Sequence, residues 1–115
     1  MNDSILYDIK KLLGIAQEYD AFDQDLIMHI NSVLNILVQQ GIGKPGFYVT
    51  CGNTTWKDFL EDTQVNLYSV KSWVGLKVRM MFDPPLSSLV ADAINANLKE
   101  LEWRMYITEN YVGEI

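Results

Sequence analysis

The sequence predicts a mostly α protein, a five-helix bundle with a short strand or hairpin in the 41–54 loop. Three observations lead there. Apolar residues recur at three- and four-residue spacing through most of the chain. Stop signals, Gly14, Gly41 and the Pro84-Pro85 pair, follow directly on those periodic stretches. Only one short stretch, Phe47-Tyr48-Val49-Thr50, has the β-branched and aromatic content of a strand. With 115 residues, 49% of them hydrophobic, the chain is expected to form a single helical domain over 1–108, followed by an irregular tail at 109–115.

The elements follow in order. Ser4 caps a first helix whose apolar residues Ile5, Leu6, Ile9, Leu12 and Leu13 share a face, and Gly14 ends it. Glu18, Asp20, Asp23 and Asp25 form an acidic entry to a second helix, where negative charge complements the helix dipole. That helix is expected over 22–40, with Gly41 as its stop. Gly41 to Gly46 reads as a loop, 47–50 as the short strand, and Cys51-Gly52-Asn53 as a turn. Thr54 or Thr55 caps a short third helix carrying Trp56, Phe59 and Leu60, with Thr55 and Asp58 as a variant capping box. A fourth helix is expected over 64–82. Asp83-Pro84-Pro85 must stop it, because proline disfavours helix in the preceding residue and has no N–H to donate. These three residues read as a rigid structural corner. Ser87 or Ser88 then starts a fifth helix reaching about Thr108.

The helical faces differ in what they must touch. In the second helix Leu26, Ile27, Ile30, Val33, Leu34, Leu37 and Val38 fill one apolar arc, opposite Asn31, Ser32, Asn35 and Gln39, with Met28 and Ile36 off that face. The fourth helix leaves almost no polar side, which predicts burial all round. Its one narrow stripe is Tyr68, Ser72, Gly75 and Arg79, where small residues permit close approach by another helix. The fifth helix has two apolar stripes. Val90, Ile94, Leu98, Leu101 and Met105 form the expected core side, and Leu89, Ala93, Ala96, Trp103 and Ile107 lie nearly opposite. A small monomer rarely buries both sides of its last helix, so the second stripe is expected to contact a partner; cover by the first helix or the 41–53 loop is the alternative.

Charge and composition exclude several function classes. A formal charge of −6 and a pI near 4.5 argue against free binding to duplex DNA or an anionic membrane. One Cys and one His exclude an internal disulfide and a Cys/His zinc site, and fit a reducing compartment. No metal or other cofactor is expected. The N-terminal residues have no cationic region of a signal peptide, and the most apolar stretch, Leu26 to Val38, is too short and too interrupted for a membrane span. His29 lies four residues after Asp25 but has no further ligands, and reads as a solvated or hydrogen-bonded side chain. Cys51 has no assignable activating base and reads as a free thiol. Gly41-Ile42-Gly43-Lys44 lacks phosphate-loop spacing. Lys71, Lys77 and Arg79 point in three directions around their helix, so they form no nucleic-acid stripe. With Ser72 and Gly75 they are candidate intersubunit residues, pairing with acids on a neighbouring subunit, or else are plainly solvated. No catalytic residue emerges, and no enzyme is expected.

Several ordered segments carry a resemblance. They are Lys11-Leu12-Leu13-Gly14-Ile15, the run Ile27 to Val33, Thr55-Trp56-Lys57-Asp58-Phe59-Leu60, Val70-Lys71 on through Leu76-Lys77-Val78-Arg79 to Phe82-Asp83-Pro84-Pro85, and Lys99-Glu100-Leu101-Glu102-Trp103-Arg104. In this order and spacing the chain resembles the head–tail connector (adaptor) family of long-tailed phages and prophages of Gram-positive bacteria, often labelled DNA-packaging proteins. The resemblance spans roughly Lys11 to Arg104 and has no compact active-site signature. It implies a structural virion protein at the head–tail interface, assembled in the host cytoplasm as a ring of about twelve subunits beneath the portal. Such a ring extends the DNA channel and offers a platform to the next connector, stopper or tail protein. DNA passes through without sequence-specific binding, and no membrane is involved.

Under this reading Leu89, Ala93, Ala96, Trp103 and Ile107 are the candidates for subunit or portal packing. Tyr106, Tyr111, Val112 and Ile115 are candidates to order on a partner, with simple fraying of the tail as the alternative. The competing reading is a small soluble helical regulatory module, antitoxin-like or repressor-binding, using the same stripe as a dimer. It lacks a basic recognition helix for reading DNA directly.

Overall fold

The computed structural model describes residues 3–61 and 66–111, the side chains of 106–111 excepted. Five helices appear in the expected order: α1 (Ile5–Leu12), α2 (Asp23–Gln39), α3 (Trp56–Leu60), α4 (Leu67–Phe82) and α5 (Ser88–Tyr111). They fall into two compact units, Met1–Asp62 and Thr63–Ile115.

In the first unit the start and stop signals act as the sequence predicts. The Ser4 hydroxyl accepts from the Tyr7 N–H at 3.2 Å and caps α1. At the other end Gly14 takes a left-handed φ of 78°, and the N–H groups of Gly14 and Ile15 return to the carbonyls of Lys11 and Lys10. That is a Schellman close, which only a residue at ease with positive φ makes cheaply. The same pair of bonds closes α2, where Ile42 returns to Leu37 and both side chains are buried. Thr55 and Asp58 form a complete capping box on α3.

α1 packs on α2, with Ile5, Leu6 and Ile9 buried against a core that includes Leu26, Ile30, Val33, Leu34 and Leu37. Leu12, expected on that face, is instead 60% exposed. Trp56, Phe59 and Leu60 are all buried, and the Trp56 indole N–H donates to the Asp8 carboxylate at 2.8 Å. The residues before α1 and α3 pair as one antiparallel bridge, Ser4 with Thr55. Its bonds run from Ile5 N–H to the Thr54 carbonyl and from Trp56 N–H to the Asp3 carbonyl.

The expected strand at 47–50 is absent. Val49 is buried, and its N–H and carbonyl are both taken by the Asn31 side-chain amide, at 2.7 and 3.0 Å. An amide side chain thus stands where a neighbouring strand would be, satisfying both backbone groups of one residue without a ladder. Asn31, read as part of the outward polar side of α2, faces inward for this purpose.

The second unit is built on α4 packed against α5. Asn66 caps α4 by accepting from the Ser69 N–H at 3.1 Å. The start of the expected 64–82 helix, and Val65 with it, lies outside the described residues. After Phe82 the chain turns, and Ser87 caps α5, accepting from the Val90 N–H. Val70, Trp73, Val74 and Val78 are buried, as are Ile94, Leu98 and Met105 from α5. The Trp73 indole N–H donates to Glu102 at 2.9 Å, so burying this large ring leaves no orphaned donor.

Burial of α4 all round does not hold. Tyr68 is 78% exposed and Met81 45% exposed. The polar tips of Tyr68, Ser72 and Arg79 can stay in water, so the narrow stripe that contains them is the open side of the helix. Gly75, in the same stripe, is buried. α5 also runs to Tyr111, three residues past the expected end at Thr108, so the start of the expected irregular tail is helical.

Candidate interaction surface

The two stripes of α5 separate as their spacing predicts. Ile94, Leu98 and Met105 are at most 8% exposed, whereas Leu89 is 78% and Trp103 60% exposed, with Ala93 and Ala96 exposed between them. Two positions depart from the simple two-sided pattern. Leu101 is half-buried, and Val90, placed on the core side by its spacing, is 42% exposed because it sits in the first turn beside the corner. The side chains of Tyr106, Ile107 and Tyr111, and all of Val112 and Ile115, lie outside the described residues.

The corner adds apolar surface that the periodicity argument missed. Leu86, directly after Pro84-Pro85, is fully exposed, three and four residues before the exposed Leu89 and Val90. Leu86 belongs to no helix, so a helical period could not flag it; the only signal was a bare leucine behind two prolines. Asp83-Pro84-Pro85 ends α4, with the Asp83 N–H returned to the Arg79 carbonyl at 2.8 Å.

Polar groups around these surfaces are mostly committed. Arg104 and Glu100 form the i,i+4 pair, as close as 2.6 Å and about 60% exposed on both sides. An exposed pair of this kind contributes only ~0.3–0.5 kcal/mol. Lys77 lies 5.4 Å from the centre of the Trp73 ring. Lys71 and Arg79 are half-buried.

The one cysteine of the chain lies in the first unit. Cys51 is exposed, with its sulfur accepting from the Asn53 N–H at 3.4 Å, in a shallow depression it shares with Lys44, Lys57, Asp58 and Glu61. Among the described residues no three His, Cys, Asp or Glu side chains gather to hold a metal ion. No helix among them is long and apolar enough to cross a membrane. What the described residues offer is surface rather than a pocket with reactive groups.

A comparison with known families decides the matter: the phage connector protein family matches residues 5–112, from the first turn of α1 to just past α5. The chain belongs to that family. No curated protein and no solved structure matches it. The family is one of structural proteins, which gives this chain the role of a head–tail connector. Since the match spans both units, neither can be set aside as an appendage to the connector.

Proposed function

We propose that this connector assembles into a ring of about twelve subunits under the portal, extends the DNA channel, and presents a platform on which the tail is completed. The observation that carries this reading is the division of α5, whose one side is buried within the chain while Leu89 and Trp103 stand exposed on the other. An apolar helix face left open in a small structural protein fits a contact with another protein. Leu89, Ala93, Ala96, Trp103 and Ile107 supply packing to a neighbouring subunit or the portal. Tyr106 and Tyr111 in the last turns of α5, with Val112 and Ile115 after it, contact a partner. The Asp83-Pro84-Pro85 corner holds α4 and α5 in their hairpin.

The excess of carboxylates suits a channel lining that lets DNA slide, because clustered Lys and Arg would hold phosphates and release counterions. The protein then acts in the virion at the head–tail interface, after assembly in the host cytoplasm. Its partners are itself, the portal and the next connector, stopper or tail protein.

Electron microscopy of the purified protein mixed with portal from the same phage or prophage tests this directly. A ring stacked on the portal is expected, and its symmetry gives the subunit number. A protein that stays monomeric or dimeric and ignores the portal overturns the reading.

A further inference from the structure

We propose that the open face of α4, formed by Tyr68, Ser72, Leu76 and Arg79, docks on the acidic α1–α2 connection of a second copy of this chain. This head-to-tail contact rests on the ring reading above and names surfaces for it. Among the described residues α4 is the only helix that carries cations and no acid, namely Lys71, Lys77 and Arg79. Lys77 is drawn over the Trp73 ring, whereas Arg79 reaches no carboxylate among the described residues. Beside it Tyr68 is 78% exposed and Ser72 is exposed, so the face combines a free guanidinium with an aromatic ring.

The complementary charge lies in the other unit. Residues 1–62 hold nine Asp/Glu against four Lys, a formal −5, and residues 63–115 hold six against five, a formal −1. Glu18, Asp20 and Asp25 are exposed and make no ion pair among the described residues; Asp23 is already committed to Lys10. Beside these acids Tyr19 and Phe22 meet edge to face at 5.7 Å, and both are exposed. The face of α4 thus finds carboxylates for Arg79 and aromatic surface for Tyr68 and Leu76. Because the Lys10 ammonium holds the Gln17 and Tyr19 carbonyls, the connection has little freedom to lose on docking.

The charges favour pairing the two different surfaces over pairing either one with itself. A two-fold contact through either surface would set α4 cations against α4 cations, or acids against acids. A head-to-tail contact sets opposite charges together, and such a contact propagates into a ring or a filament.

Disulfide trapping tests this on the full chain. Cys51→Ser removes the native thiol, and Ala21→Cys with Ser72→Cys places one thiol in each surface while keeping every charge. Oxidation with copper phenanthroline is expected to give a ladder of linked multimers, and either single-cysteine chain only background dimer. Adding Arg79→Glu lowers the ladder roughly tenfold, and adding Asp20→Arg to that same chain restores it. Circular dichroism of each variant confirms that the helices remain. No ladder, or a ladder indifferent to Arg79→Glu, overturns the contact. If rings of the unmodified protein still form on the portal in that case, the ring reading stands and a different pair of surfaces builds it.

Discussion

The Lys10 ammonium lies 2.7 Å from the Asp23 carboxylate, on a side chain with no exposure to solvent. Its other two donors reach the carbonyls of Gln17 and Tyr19 at 2.8 and 2.7 Å, so all three are used. One side chain thereby ties α1 to the first turn of α2 and to the loop between them. A buried charge is tolerated only when it is paired and fully hydrogen-bonded, and this one is both.

Lys10→Met keeps the aliphatic stem and removes the ammonium. It leaves Asp23 and two carbonyls without their donor, and is expected to cost about 3–5 kcal/mol in a urea titration. A loss below about 1 kcal/mol would show that water replaces the ammonium at no great penalty.

Asn31→Ala strips both partners from Val49, a residue only 1% exposed. The expected loss is about 2–4 kcal/mol, with faster hydrogen exchange at the Val49 amide. Unchanged exchange there would mean that the Asn31 bonds do not hold the 47–50 segment.

Two glycines separate backbone strain from crowding. Gly14 and Gly43 both have positive φ, 78° and 91°, but a Cβ on Gly14 meets open space while one on Gly43 would overlap the Phe59 ring. Gly14→Ala should therefore cost only the left-handed penalty, about 1–2 kcal/mol. Gly43→Ala adds about 1–3 kcal/mol for displacing the ring. Equal midpoints in parallel denaturant melts would contradict the close approach.

Trp103→Ala probes the exposed side of α5. With Trp103 60% exposed, truncation is expected to change folding stability by less than about 1 kcal/mol, yet to weaken assembly on the portal at least ~tenfold. An equal loss of both would place Trp103 in the core of the folded chain.

The order of helices and most of their caps and stops were legible in the sequence, because these features are local; the Asn66 cap of α4 was not, and fell inside the expected 64–82 helix. Ser4, Thr55 with Asp58, and Gly14 act through bonds to residues three to five positions away. The two stripes of α5 were legible for a related reason: periodicity alone puts Ile94 and Leu98 on one side and Leu89 and Trp103 on the other.

Only the tertiary structure decided what the long-range polar groups do. The bonds from Asn31 to Val49 and from Trp56 to Asp8 span 18 and 48 positions. No local pattern marks an amide that replaces a β-strand or a lysine that turns into the core. Hydropathy places Lys10 outside, as it does other lysines; the geometry of two carbonyls and a carboxylate brings it in. The same limit explains α4, whose apolar composition implied burial all round. Its exposed side carries Tyr68 and Ser72, whose polar groups tolerate water, and which face stays open depends on what packs against the others.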